Sequence, residues 1–127
     1  MRGLLDTHTL IWAVEDSDKL SEPAKAFLDD PGNTVLVSVV SIWEIVIKHK
    51  LGKLPLGQPL GAMLSQLPAA GITVLPVQLD HVLAVERLPD PHRDPFDRLL
   101  AGQAIVEGAA LISGDSIFRQ YPVTVVW

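Results

Sequence analysis

The segment TVLVS at residues 34–38 is β-branched and apolar without polar alternation, the pattern of a strand covered on both faces. Four more short apolar segments, at 4–5, 72–75, 110–113 and 124–126, read as its neighbours in a sheet. Between them lie stretches with helical punctuation. Helices are expected over 9–15, 41–50, 60–70, 79–88 and 96–107, with a short one at 116–119. Another starts at Ser21-Glu22-Pro23, with Ser as cap and Pro two positions on, and runs through 24–28. Residues 52–61 carry Gly52, Pro55, Gly57, Pro59 and Gly61 and must be loop, and Pro89, Pro91 and Pro95 mark a rigid connection. Strands alternating with helices specify an α/β domain of three layers, a central parallel sheet of about five strands with helices on both faces. At 127 residues the chain has no room for a second substantial core, so one domain over 1–127 is expected.

Composition narrows the chemistry. There are no cysteines, which removes disulfides, thiolate metal sites, iron–sulfur clusters and cysteine nucleophiles together. A reducing, cytoplasmic setting is the expectation. The longest apolar run, 34–42, stops well short of a membrane span, and an acid after two leucines near the start argues against a secretion signal. Ten Lys and Arg against fifteen Asp and Glu give a net charge of −5, which argues against holding nucleic acid by bulk positive charge. If four acids share one site, the remainder is 11 against 10, close to neutral. Two divalent cations would cancel such a site.

In parallel sheets function gathers beyond the carboxyl ends of the strands. Asp6 sits just after the first strand. Glu44 is read in the first turn of the helix after the second. Asp97 lies in the first turn of the long helix, and Asp115 follows the fourth strand in Ser113-Gly114-Asp115. Four acids distant in sequence are thereby assigned to one sheet edge. Each also has a plain structural reading. Ser41 with Glu44 fits a capping box, Asp94 with Pro95 and Asp97 starts a helix well, Asp6 suits a strand-end turn, and Asp115 suits a short-helix cap. Convergence is harder to explain structurally, because clustered carboxylates repel by about 1 kcal/mol or more per pair. Carboxylate oxygens without thiolates suit a hard cation, Mg²⁺ or Mn²⁺. Such a site activates water for in-line attack on phosphorus. His8, His49, His81 and His92 have no metal-ligand spacing and read as surface residues.

These residues sit in a recognisable order. Leu4-Leu5-Asp6-Thr7-His8, Ser41-Ile42-Trp43-Glu44-Ile45, the run Arg93-Asp94-Pro95-Phe96-Asp97-Arg98-Leu99-Leu100-Ala101-Gly102-Gln103-Ala104, and Leu111-Ile112-Ser113-Gly114-Asp115 together resemble a PIN-domain protein from about residue 3 onward. The subgroup most resembled is the VapC-type toxin of bacterial toxin–antitoxin pairs. The resemblance implies an Mg²⁺- or Mn²⁺-dependent endoribonuclease with one or two ions, usually a homodimer, held inactive by a small antitoxin. It also implies that Asp6, Glu44, Asp97 and Asp115 are the acidic catalytic and metal-binding set. Asp94 matches a further acid of the subgroup, as cap or support. Gly102 stands where Ala is more usual, a local loss of helix propensity of about 1 kcal/mol. Ser113 stands where Thr is common, and either hydroxyl could orient Asp115.

Other residues have two readings each. Thr7 is a candidate to bond a metal water or a plain first-turn hydroxyl. Lys48, one turn after Glu44, is a candidate phosphate ligand or half of an ordinary Glu–Lys pair. Arg93 and Arg98 flank the acids and either guide RNA or balance charge. Trp12 and Trp43 read as core or dimer packing rather than base-stacking platforms. The Gly/Pro-rich loop after Lys50 is a candidate contact for substrate or antitoxin. A phospho-acceptor receiver shares the size and class, but no Asp ends the third strand and no Lys follows Lys53. A haloacid-dehalogenase-type phosphatase needs Asp-x-Asp, where this chain has His8. A PIN fold serving as an inactive binding module is the remaining alternative.

Overall fold

Strand β1, Arg2–Leu5, lies at the centre of the sheet, and its leucines are buried on both sides. A computed structural model of the chain describes residues 1–89 and 94–127. The connection read at Pro91, together with His92 and Arg93, falls outside the described residues. Strands β2 (Thr34–Ser38), β3 (Ile72–Leu75), β4 (Ala110–Ile112) and β5 (Val125–Val126) complete a parallel sheet in the order β3-β2-β1-β4-β5. This is not the 2-1-3-4-5 order of flavodoxin-like receivers. Register places Leu4 beside Leu36 and Leu111, and Leu5 beside Val37 and Ile112. Because side chains alternate across a strand, these two rows build two separate cores. Leu5, Val37 and Ile112 join Leu10, Phe27 and Met63, while Leu4, Leu36 and Leu111 join Leu100, Ala104 and Phe118. The expected three-layer α/β architecture is what the chain adopts.

The helices are α1 (Thr7–Glu15), α2 (Glu22–Asp29), α3 (Val39–Lys50), α4 (Leu60–Ser65), α5 (Leu79–Glu86) and α6 (Pro95–Glu107). Several boundaries differ from those read in sequence. α1 starts two residues early, because Asp6 caps it by accepting from the Thr9 N–H at 2.8 Å. α3 starts at Val39, because Ser38, the last residue of β2, caps it by accepting from the Val40 N–H at 3.0 Å. Ser41 is therefore inside the helix, and Glu44 lies beyond its first turn. α4 ends at Ser65 rather than near residue 70; Pro68, lacking an amide hydrogen, cannot extend it. Among the described residues, no helix is long and apolar enough to cross a membrane.

His81, read as a surface residue, is fully buried between α5 and α6. The Gln78 N–H donates to its Nδ1 at 2.9 Å, so the ring proton sits on Nε2 and is donated to Glu107 at 2.8 Å. Glu107 also pairs with Arg2 at 3.1 Å, joining α5, α6 and β1. The His81 hydrogen bond, opposed by burial and helped by Arg2, holds the Glu107 carboxyl below its ordinary value. A depressed carboxyl stabilises the fold above the unfolded-state value, and this contribution is lost as pH falls through the folded-state value. Wild type should therefore exceed Glu107→Gln in stability near neutrality, and the gap should close below the ordinary carboxylate range, as measured by urea unfolding across acid pH.

Gly102 has its explanation in the same contact. A Cβ there would lie 2.9 Å from the His81 carbonyl oxygen and 3.1 Å from Val85 Cγ2. The glycine lets α6 approach the backbone of α5. Gly102→Ala should thus lower stability by about 1–3 kcal/mol, reversing the gain expected from helix propensity, and thermal unfolding would read the sign directly.

Candidate active site

The strand order reverses at β1, with β2 and β3 on one side and β4 and β5 on the other. Such a reversal opens a crevice outside the carboxyl ends of the strands. Asp6 follows β1 and is 8% exposed. One of its oxygens caps α1, and the other accepts from Ser113 Oγ. That hydroxyl in turn accepts from the Asp115 N–H at 3.0 Å. Ser113 thus orients the Asp6 side chain and the Asp115 main chain at once, a wider role than the expected one. Asp115 accepts from the Ile117 N–H at 3.1 Å, capping the short 3-10 helix Ser116–Gln120. Asp6 and Asp115 line one cavity of about 410 Å³, together with His8, Trp12, Lys19 and Trp127.

Glu44 reaches the same edge from α3 and is 5% exposed. It accepts from Thr7 Oγ1, the residue after Asp6, and from Lys48 Nζ one turn along its own helix. Thr7, the first residue of α1, therefore links α1 to α3, and the Glu44–Lys48 pair is no ordinary surface pair, since its acid is buried. The Lys48 ammonium is held above its ordinary value, first by the hydrogen bond to Glu44. Burial opposes that shift, and the charges of Glu44, Asp94 and Asp97 add to it. Asp94 is the cap of α6, accepting from the Phe96 and Asp97 N–H groups at 2.9 and 3.3 Å. The ring of Phe96 meets Trp43 of α3 edge-on at 5.3 Å, which holds the start of α6 against α3.

The predicted residues therefore fall into two linked groups. Ser113 joins Asp6 with Asp115, and Lys48 joins Glu44 with the charges of Asp94 and Asp97, while the Thr7 bond connects the two. Ser41 does not cap α3, and its buried Oγ has no hydrogen-bond partner among the described residues. Arg98 donates to the carbonyls of Pro89 at 3.0 Å and Val85 at 3.4 Å, which ties α6 to the end of α5. Arg93 lies outside the described residues. Trp127, His8 and Lys19 were missed as cavity residues. The legible signal for Trp127 was its place directly after the last strand.

A fold with its acids at the switch point of a parallel sheet defines a class, and the PIN domain family matches the chain over residues 3–123. The chain belongs to that family, whose members are typically nucleases. Comparison with curated proteins gives no match. Among solved structures, it resembles VapBC2 from Rickettsia felis bound to a promoter DNA fragment, with a TM-score of 0.67, 18% identity, and 98% of this chain and 97% of that chain covered. VapBC-1 from nontypeable Haemophilus influenzae gives 0.67 at 16% identity, covering 98% and 96%. A toxin–antitoxin complex from Klebsiella pneumoniae gives 0.56 at 18% identity, covering 90% and 87%.

Divalent metals are general in this family. Among the described residues, no three acidic or histidine side chains are grouped closely enough to hold a metal ion together. The donor chemistry nonetheless fits Mg²⁺ or Mn²⁺. These ions keep several waters and are held through one or two carboxylates plus phosphate oxygens, and a carboxylate has lone pairs beyond those used here. The Glu44–Lys48 pair is testable without metal. Lys48→Met leaves a buried charge unanswered and should lower stability by about 1–3 kcal/mol. Adding Glu44→Gln should restore part of the loss in a urea-unfolding double-mutant cycle.

Proposed function

We propose that this chain is a metal-dependent endoribonuclease, acting as one nuclease domain over residues 1–127, and the toxin component of a type II toxin–antitoxin pair. The observation that carries this reading is the pair Asp6 and Asp115 on one cavity at the sheet's switch point, with buried Glu44 bonded to the residue after Asp6. Family membership and the likeness to VapBC assemblies support it. Asp6, Glu44, Asp97 and Asp115 would hold one or two Mg²⁺ or Mn²⁺ ions. When bound, the metal supplies activation of water and charge stabilisation for in-line displacement at a phosphodiester.

The chain's own residues do the positioning. Ser113 fixes the Asp6 carboxylate and the turn that presents Asp115. Thr7 and Lys48 fix Glu44. Lys48, its ammonium kept charged by the acids around it, is also a cation that can meet a substrate phosphate. A small antitoxin inhibits by placing a basic side chain among these acids. Exposed Val39, Trp43 and Val46 on α3 leave an apolar face for homodimer packing. The setting is the cytoplasm.

Asp6→Asn and Asp97→Asn should each reduce Mg²⁺-dependent RNA cleavage by about a hundredfold or more, with folding retained by circular dichroism. Sequencing RNA 5′ ends after brief expression, against Asp97→Asn as control, would identify the cut sites. Cleavage by either variant at the wild-type rate would overturn the mechanism. A binding module with a spent site would instead take up no metal in titration and leave every RNA intact.

A further inference from the structure

We propose that Trp12 and Trp127 form a stacking platform for one unpaired base of a single-stranded RNA, beside the acids that act on its backbone, with Lys19 at the adjacent phosphate. The inference rests on the nuclease reading and adds how the strand is held.

Three rings stand in a row along this cavity. His8 and Trp12 have centroids 5.7 Å apart, and Trp12 and Trp127 lie 5.9 Å apart. Both indoles line the space that Asp6 and Asp115 line. Each is packed on the core only in part, which leaves the rest of its surface toward the cavity. The seat of Trp127 is built into the chain. A Cβ at Gly114 would lie 2.8 Å from its Cε2 and 2.9 Å from its Nε1, so the residue before Asp115 gives up its side chain to the indole. Pairing of β4 with β5, extended by the Ser113 N–H donating to the Val126 carbonyl at 3.2 Å, delivers Trp127 to this place.

The chemistry that suits two indoles beside carboxylates is a flat, weakly charged ring attached to a phosphate chain. Every base has a π-face, so stacking binds a strand without demanding its sequence, and it serves an acidic protein that lacks bulk positive charge. A base inside a duplex has no free face, so the ligand is unpaired RNA. Lys19 borders both this cavity and a neighbouring one of about 810 Å³ that Lys53 also lines. Its partner Asp16 lies at 3.7 Å, and both side chains are largely in solvent. Such a pair is weak and yields readily to a phosphate.

The test is binding in EDTA, where cleavage does not interfere, of a short labelled single-stranded RNA and of the same sequence closed into a hairpin stem. The protein carries Trp43→Phe, so its indole fluorescence reports only Trp12 and Trp127. Single-stranded RNA should quench that fluorescence, and the stem should not. Trp12→Leu and Trp127→Leu should each weaken binding about tenfold, with Phe at either position restoring most of it. Lys19→Gln should flatten the dependence of log affinity on log salt by about 0.7. Binding without quenching, or affinity unmoved in folded Leu variants, overturns the platform. If the wild type still cleaves RNA in Mg²⁺ under that outcome, the nuclease reading stands and only the platform falls. A wild type that neither binds nor cleaves RNA overturns both.

Discussion

A carboxylate taken out of water must be answered by donors, and in this fold the answer to that demand organises the whole crevice. Asp6 and Glu44 are both nearly inaccessible, and each has both oxygens engaged. Their donors come from different parts of the chain: the first turn of α1, the loop after β4, and α3 itself. An unanswered charge at either position would be costly. The bonds that satisfy the acids are consequently the same bonds that tie α1, α3 and β4 together at the sheet edge. The parallel sheet, whose strand order reverses at β1, brings those segments to one place.

Capping and function are not competing explanations for these acids. Asp6, Asp94 and Asp115 each start a helix; the local sequence indicated this for Asp94 and Asp115, whereas Asp6 suited a strand-end turn. A cap uses one oxygen lone pair and leaves others, and the positive end of a helix stabilises the charge that remains. The same carboxylate can therefore terminate a strand, begin a helix and face a cavity. Glu44 is the exception. Ser38 takes the capping position, so nothing in its local sequence requires an acid at residue 44, and its burial is explained by its neighbours in space.

The strands were legible because residues buried on both faces leave an uninterrupted apolar signal, as TVLVS does. Boundaries were less so where two residues offered the same local chemistry. Ser38 and Ser41 are both competent caps, and only the length of β2 decides between them. Three features depend on contacts distant in sequence. His81 looks like a surface residue until Glu107 meets it from 26 positions away. Gly102 looks like a weak helix residue until the backbone of α5 occupies the space of its side chain. Trp127 acquires a role only once β5 lies beside β4.

Lys48 shows how an acid-rich crevice folds before any ligand arrives. Placed one helical turn after Glu44, it brings a cation to the buried acid with little loss of chain entropy, and the charges of Asp94 and Asp97 act on the same ammonium. Left to themselves, the charges of Glu44, Asp94 and Asp97 would oppose the packing of α3 against α6. The lysine is about one-third exposed on a flexible stem, so it can leave Glu44 for solvent without moving the helix. In the nuclease reading, that mobility lets one side chain serve two states. It neutralises Glu44 in the empty protein, and it turns to a substrate phosphate once the carboxylate is engaged elsewhere. An arginine, with its fixed fork committed to the carboxylate, would hold the first state too firmly to permit the second.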